Sequence, residues 1–193
     1  MISLEDLEHV ALGGTAVGSC ANTPKGYREL AIKHLSEVSG LNIKPSPNMY
    51  YSLQSKFDIA NCSSAIRNLA LELTKIANDL RLMASGPDAG LNEIFITAVH
   101  AGSSIMPGKV NSSRAECLNM ICFNVVGNDL AVLMASQAGQ FELNVMLPVM
   151  LKCMLESTDM LKNFLPIFTA NMVDGLNVNY ERNEEKNPYL SCS

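Results

Sequence analysis

The chain has 193 residues, of which 48% are hydrophobic and 6% aromatic, with no tryptophan. This length suits one domain, or one compact part of a larger one, with enough apolar residues for a sizeable core. The formal net charge is −5 with a sequence pI near 5.2. Such an acidic balance argues against nucleic acid as a main partner, because phosphate binding needs a basic surface. A core that depends on aliphatic residues and 11 Met favours helical packing.

Cysteine usage and the first residues bear on compartment and cofactors. The six cysteines form no CxxC pair and share no zinc-type spacing with histidine, so neither a metal nor a cofactor is expected. We interpret them as reduced thiols of a cytoplasmic protein. The first nine residues are acidic and lack the basic and apolar regions of a signal peptide. No membrane span is expected, since Asn128 and Asp129 interrupt the most apolar run.

In chain order, the first elements are a glycine-rich loop and short helices. Residues 1–10 fit the end of a helix, and residues 13–19 form the loop, which lacks both the GxGxxG order and the preceding strand of a dinucleotide site. Thr23-Pro24 starts a short helix that ends at Gly40. A turn at 45–48 leads into another helix.

The clearest periodicity lies in residues 62–84. Apolar residues recur there at steps of three and four, which predicts an amphipathic helix packed on its neighbours. They are Ile66, Leu69, Ala70, Leu73, Ile76, Ala77, Leu80 and Met83. Residues 85–87 (SGP) end this helix, and residues 88–101 form a connector with a short extended piece at 94–96.

Two further long helices are predicted. Ser112 or Ser113 caps a helix that runs to about Ser136 and is apolar on most faces, as in the interior of a bundle or an oligomer. Residues 139–144 interrupt the pattern, and a last long helix covers Val149 to about Phe168. We therefore expect one helical domain over residues 1–178. A polar tail over residues 179–193, without a cap or a docking element, is expected to follow.

Residues 102–111, GSSIMPGKVN, point most directly to chemistry. Two glycines and a proline exclude a regular helix or a core strand. The stretch carries two hydroxyls, a cation and an amide: Ser103, Ser104, Lys109 and Asn111. A serine can abstract a proton only if nearby cations or amides stabilise the developing charge, and Lys109 with Asn111 supplies them. Each residue alone would be a turn cap or a surface charge, but their coincidence in one loop favours a site for a small anion.

The histidines offer no competing site. His9, His34 and His100 have no metal-ligand partner at helical spacing, so we interpret them as structural or exposed. No GxSxG elbow indicates a Ser-His-Asp hydrolase.

The loop at 102–111 resembles the signature of the aspartase/fumarase superfamily, and other segments extend the resemblance over roughly residues 8–180. These segments are GGTAVG at 13–18 with NTP at 22–24, IANDLR at 76–81 with SGP at 85–87, and GQFELNVM at 139–146. Within the superfamily, AGLNEI at 89–94, ICFNVVGND at 121–129 and NVMLP at 144–148 favour the aspartate ammonia-lyase branch over fumarate hydratase.

The resemblance implies an all-α, long-helix bundle, the central domain of this superfamily, assembled into a homotetramer with sites shared between subunits. It implies anti elimination of ammonia from L-aspartate to give fumarate, a reaction of amino-acid metabolism, with Ser103 as the base that removes the β-proton. Lys109, Asn111 and Ser104 are then expected to bind the dicarboxylate substrate. Glu116, where the family has a glutamate that pairs with a histidine, and Thr15 are expected to support the site.

The resemblance also implies that this chain is incomplete. The family's upstream Thr-His segment, its Ser/Thr/Asn-rich substrate segment and its small C-terminal domain have no counterpart here, so the isolated chain is expected to be inactive. Asp88 stands where the family usually has arginine, and Ser112 where it commonly has proline.

Two alternatives stay open. One is fumarate hydratase or another superfamily lyase, such as one acting on argininosuccinate or adenylosuccinate. The other is a non-catalytic homologue that assembles with a complete lyase.

Overall fold

The computed structural model describes residues 4–96 and 112–186. A 3-10 turn at Leu4–Glu8 precedes the first strand, and a π-helical turn at Thr169–Val173 follows the last long helix. The described helices are α1 (Tyr27–Ser39), α2 (Met49–Gln54), α3 (Phe57–Met83), α4 (Ser113–Gln137), α5 (Leu147–Phe168) and α6 (Tyr180–Lys186). The described strands have two residues each: β1 (His9–Val10), β2 (Lys44–Pro45), β3 (Ile94–Phe95) and β4 (Asn177–Val178). The predicted all-α class is confirmed.

The chain divides into two compact units. Among the described residues, the first contains 4–67 and 126–156, and the second contains 68–96, 112–125 and 157–186. Helices α3, α4 and α5 each contribute to both units. The predicted boundary at residue 178 is a different kind of division, between bundle and tail, and it stays a prediction.

In the first unit, β1 pairs in parallel with β2, with His9 opposite Lys44. A short strand thus precedes the glycine-rich loop, where none was expected. The dinucleotide pattern is still absent, because turns follow the loop and α1 begins only at Tyr27. Helix α1 ends as predicted at Gly40, whose left-handed backbone donates its N–H to Ser36 O.

The core of the first unit lies between α4 and α5. Val132, Ala135, Met150 and Cys153 form a buried cluster there. Asn144, only 2% exposed, connects the two helices through its side chain. Its Nδ2 donates to Ala135 O at 3.0 Å, and its Oδ1 accepts from Met146 N at 2.9 Å. A buried amide is tolerated here because it satisfies backbone groups at a helix end.

In the second unit, α3 buries small residues rather than large ones. Ala70 and Ala77 are fully buried, whereas Leu69 and Ile76 are about half exposed. The predicted amphipathic helix is confirmed and begins five residues earlier, at Phe57. The expectation that Leu69 and Ile76 belong to its packed face is wrong for this chain.

The expectation that the tail lacks a docking element is also wrong. Residues 180–186 form α6, and β4 just before it pairs antiparallel with β3. Asn183 Nδ2 donates to Glu93 O at 3.0 Å, and Lys186 Nζ donates to Leu91 O at 2.8 Å. Polar side chains dock this segment through hydrogen bonds, which an apolar pattern does not reveal.

Helix α4 differs from the expectation that no segment could cross a membrane. By length and composition its 25 residues are apolar enough to do so. However, the core helix of a water-exposed domain meets the same criterion, and Leu118, Cys122 and Val125 of α4 are buried inside the protein. Asp129 on the same helix is ion-paired with Arg67, so α4 has the features of a core helix.

Candidate active site

The loop predicted to carry the chemistry, residues 102–111, lies outside the described residues, and so do its four candidates Ser103, Ser104, Lys109 and Asn111. Their roles stay predictions. The structure describes the segment that leads toward the loop, the helix that follows it, and the two supporting residues Glu116 and Thr15.

Glu116 lies in the first turn of α4, the helix that follows the loop. The turn begins where predicted, with Ser112 O accepting from Ala115 N at 2.9 Å. Glu116 Oε1 accepts a hydrogen bond from Arg81 Nη2 at 2.8 Å. Both side chains are about half exposed, so the pair orients the carboxylate more than it stabilises the fold. Arg81 is a partner that the sequence analysis did not identify.

One more polar pair follows Arg81–Glu116 along the same two helices, with Asn119 Nδ2 donating to Asn78 Oδ1 at 2.8 Å. The Thr74 hydroxyl, which donates to Ala70 O at 2.9 Å, lies near the Cys122 thiol one turn further along. The partners are three or four residues apart on each helix, so they share one face. Burial raises the pKa of the Cys122 thiol, and the nearby Thr74 hydroxyl opposes this shift. This polar seam fixes the register of α4 against α3 beside Glu116.

The connector before the loop is bound to the end of α3. Leu91 N donates to Ser85 Oγ at 3.1 Å, and Asn92 N donates to Ser85 O at 2.7 Å. Gly90 has no room for a side chain, because a Cβ there would lie 2.3 Å from Ser85 backbone atoms. The family segments at 85–87 and 89–94 therefore lie in contact, and this contact explains why residue 90 is a glycine.

Thr15 lies in the glycine-rich loop of the first unit. Its side chain is exposed and its φ is 58°, in the left-handed region. The loop is closed by Gly18 N donating to Gly14 O at 2.9 Å and by Thr23 Oγ1 donating to Gly13 O at 3.0 Å. This geometry holds Thr15 at the tip of a closed turn, where its hydroxyl is accessible.

Asp129 is a buried charge that the sequence analysis did not assign to a site. Its Oδ1 accepts from Ser63 Oγ at 2.6 Å, and its Oδ2 accepts from Arg67 Nη1 at 2.9 Å. The only signal in the sequence is a pair of polar residues, Asn128 and Asp129, inside an apolar helix. Because the carboxylate is satisfied by charge and hydrogen bonding, its role in the first unit is structural.

The two described histidines take no part in these contacts. His34 lies on the exposed side of α1 and contacts Glu37 at 3.1 Å, and His9 lies in β1, while His100 is outside the described residues. Within residues 4–96 and 112–186 there is no group of three His, Cys, Asp or Glu that could hold a metal. The five cysteines in those ranges are free thiols.

Comparison with known proteins supplies the family. A family model described as "Lyase" matches residues 3–127, well over half of the chain. Aspartate ammonia-lyase from Escherichia coli K12 is 44% identical over 177 residues, which are 92% of this chain and 37% of that protein. Fumarate hydratase class II from Thermus thermophilus is also 44% identical, over 190 residues, which are 97% of this chain and 41% of that protein.

A solved structure agrees with these matches. The fumarate lyase:delta crystallin structure from Brucella melitensis is 42% identical, with a TM-score of 0.88 over 92% of this chain and 39% of that one. The chain thus spans less than half the length of the relatives that it matches. The resemblance drawn from the motifs at 13–18, 76–81, 102–111 and 139–146 is confirmed, and the chain belongs to the lyase family of the aspartase/fumarase superfamily.

Proposed function

We propose that this chain supplies the central helices and the proton-abstracting loop of an aspartate ammonia-lyase. The observation that carries the proposal is the match at 44% identity to an aspartate ammonia-lyase over 92% of the chain. The sequence at 102–111 adds a serine, a lysine and an asparagine in one loop, which suits abstraction of a proton next to a carboxylate.

In the proposed reaction, Ser103 as an alkoxide removes the β-proton of L-aspartate. The electron pair of the C–H bond forms the double bond, and the C–N bond breaks to release ammonia and fumarate. The intermediate that precedes C–N cleavage carries extra negative charge on the β-carboxylate, and Lys109 and Asn111 stabilise that charge. Ser104 contributes a hydroxyl to the bound dicarboxylate.

Glu116 and Thr15 have supporting roles in this proposal. The Arg81 guanidinium, 2.8 Å from Glu116, gives the carboxylate one orientation in the first turn of α4. Thr15 offers an exposed hydroxyl from the glycine-rich loop. Neither the reaction nor the proposed roles call for a metal or a cofactor.

We further propose a cytoplasmic homo-oligomer, a tetramer as expected from the family, with sites shared between subunits. Two observations support an oligomer. Helix α4 exposes large apolar side chains, among them Met120, Phe123 and Leu130. In addition, a cavity of about 520 Å³ in the first unit is lined by apolar side chains of α3, α5 and the N-terminal turn. Apolar surface of this extent is typical of an interface.

Two other functions are favoured by particular findings. The Thermus thermophilus fumarate hydratase matches at the same identity over slightly more of the chain, which favours the reversible addition of water to fumarate to give malate. The exposed apolar side chains of α4 also suit the second alternative, a non-catalytic subunit that assembles with a complete lyase. For the chain alone we propose no turnover.

The test uses the purified chain alone and the chain co-expressed with the Escherichia coli aspartate ammonia-lyase, in which the serine aligned with Ser103 is replaced by alanine. Fumarate formation is followed by ultraviolet absorbance with L-aspartate or L-malate as substrate. Turnover of aspartate only in the co-expressed sample supports the proposal, and turnover of malate instead identifies a fumarate hydratase. Co-purification without any turnover supports the non-catalytic subunit and contradicts the proposal. The absence of both co-purification and turnover also contradicts the proposal.

A further inference from the structure

A cavity of about 600 Å³ lies inside the first unit, between α1 and the segment 43–45 that returns beside it. Ligand pockets in proteins have volumes of this order. Three side chains at successive turns of α1 line one wall, namely Arg28, Ile32 and Ser36, and the eight residues between the first and the last make this wall about 12 Å long. None of these side chains has a role in the proposed elimination, so the cavity is a separate feature of the chain.

Hydrogen bonds fix both ends of this cavity. At one end, Arg28 Nη2 donates to Ser46 O at 2.7 Å. Ser46 is only 2% exposed, and its N donates to Val10 O at 3.0 Å, so the acceptor belongs to well-ordered backbone. At the other end, Ser36 Oγ accepts from Ile43 N at 3.1 Å and donates to Ile43 O at 3.3 Å. The two walls are therefore preformed, which lowers the ordering cost of binding.

The guanidinium of Arg28 has more donors than acceptors around it. A guanidinium carries five N–H donors, and Ser46 O is the one acceptor that the described part of the chain offers it. Nε is buried and has no partner, which leaves the terminal nitrogen Nη1 for an anionic group in the cavity. A carboxylate there would form a charge-assisted hydrogen bond, the strong kind, and its negative charge would offset part of the cost of the unsatisfied Nε donor.

Glu29, the next residue, brings a negative charge to the rim of the same cavity. It is exposed and has no hydrogen-bond or ion-pair partner within residues 4–96 and 112–186. The two remaining charged side chains of the lining, Lys33 and Glu37, pair with each other at 3.9 Å. One cation and one anion without a charged partner therefore lie side by side at the Arg28 end of the cavity.

Beyond these charges the lining is apolar. Ile32 is only 7% exposed, and Ile43 and Pro45 line the cavity from the returning segment. An apolar surface with a few polar groups at one end is typical of sites that bind small molecules with a polar head and an apolar body. The volume leaves room for a large body.

We propose that this cavity binds a free α-amino acid with a large apolar side chain. The carboxylate of the amino acid accepts from Arg28, its ammonium pairs with Glu29, and its side chain packs on Ile32, Ile43 and Pro45. Both charged groups of an α-amino acid are bonded to one carbon, which suits charges on two consecutive residues. A peptide lacks this combination, because its ammonium and its carboxylate lie at opposite ends. A dicarboxylate such as fumarate has no cation for Glu29.

L-Tryptophan is the probe for this proposal, because the chain contains no tryptophan and the ligand can be excited where tyrosine does not absorb. The purified full chain is titrated into L-tryptophan and into three analogues. N-acetyl-L-tryptophan lacks the ammonium, tryptamine lacks the carboxylate, and indole lacks both. We expect a saturable change in emission with L-tryptophan, and a Kd about tenfold or more higher for each analogue. No saturable change, or an analogue that binds as tightly as L-tryptophan, would overturn the proposal.

Two variants assign the charged contacts. Arg28→Met keeps the apolar stem and removes the guanidinium, and Glu29→Gln removes the charge at nearly constant size. Arg28→Met should raise the Kd of L-tryptophan about tenfold and leave that of tryptamine unchanged. Glu29→Gln should raise the Kd of L-tryptophan by a similar factor and leave that of N-acetyl-L-tryptophan unchanged. Lys25→Gln and Glu72→Gln are the controls, because both side chains are exposed and lie outside the lining.

The variants have two outcomes that contradict the proposal. If either one weakens L-tryptophan no more than the controls do, the charged contact assigned to that residue is wrong and the proposal fails. If a variant weakens L-tryptophan and its matching analogue equally, the residue does not contact the missing charge, and the proposal fails as well. Circular dichroism checks the fold of each variant. Should Arg28→Met unfold because Ser46 O loses its donor, the analogue series and the exposed Glu29 still decide.

Discussion

At Gly18 the backbone of the glycine-rich loop leaves no space for a side chain. Its φ is +95°, and a Cβ there would lie 2.6 Å from Tyr50 N at the start of α2. Both features require glycine. Gly26 also has a positive φ, +79°, but nothing lies within 4 Å of its Cβ position. The two glycines therefore separate the cost of backbone strain from the cost of a steric clash.

We expect Gly18→Ala to lower the free energy of unfolding by about 3 kcal/mol, because strain and clash both act. Gly26→Ala should cost only about 1 kcal/mol, from strain alone. Urea unfolding followed by circular dichroism measures both variants. Equal losses would show that the loop does not pack on α2 as described.

Lys56 is the residue for which a pH dependence of stability is expected. It is buried, with Nζ donating to Ser52 O at 2.5 Å. Burial lowers the pKa of Lys56, and the nearby Asp58 carboxylate opposes this shift. A lysine with a lowered pKa in the folded state binds fewer protons there than in the unfolded state, so stability rises with pH between the two pKa values.

Lys56→Met should therefore flatten the rise in stability as pH increases. The free energy of unfolding of wild type and variant is compared at several pH values between about pH 8 and pH 10. The wild-type curve should climb more steeply than the variant curve. Parallel curves would mean that Lys56 is solvated in the folded protein.

At the scale of elements, α4 shows what periodicity can and cannot predict. The sequence predicts its start and end within a residue. It does not predict which side is buried, because a helix that is apolar all round has no preferred face. The structure buries one stripe, which contains Ala115, Leu118, Cys122, Val125, Asp129 and Val132, and exposes another, which contains Met120, Phe123, Gly127, Leu130 and Met134.

The exposed stripe of α4 leads to a prediction about association. Its residues are spaced by three and four, the pattern by which helices pack on partner helices. The double variant Phe123→Gln, Leu130→Gln should shift the chain to smaller species in sedimentation velocity. Val38→Gln, at a residue that is 88% exposed on α1, is the control and should leave the distribution unchanged. A wild-type chain that sediments as a folded monomer contradicts the prediction.

The sequence also does not predict which polar side chains pair between elements, for a different reason. Asp129 finds its partners 66 and 62 positions away, in Ser63 and Arg67, and α6 docks on a connector some ninety positions upstream. Residue type and spacing give no signal for such pairs, since each polar side chain alone fits a solvated surface. Only the fold shows which polar groups meet.

At the scale of the whole molecule, the chemistry of the candidate site stays a prediction from the sequence. The serine, lysine and asparagine of 102–111 are assigned from their residue types and from the family resemblance, and they lie outside the described residues. The Arg81 partner of Glu116 could not be assigned in this way, because it depends on the register of α3 against α4. The chain also spans less than half the length of its relatives, so the arrangement of the whole site stays a proposal.

The assignment of Ser103 as the base is tested most directly by the effect of Ser103→Ala on fumarate formation from L-aspartate in the co-expressed assembly. Loss of the base should lower kcat by about a thousandfold or more, while the variant still co-purifies with its partner. Ser136→Ala, whose hydroxyl donates to Leu133 O of its own helix, should keep the wild-type rate. A Ser103→Ala assembly that forms fumarate as fast as wild type would contradict the assignment of Ser103 as the base.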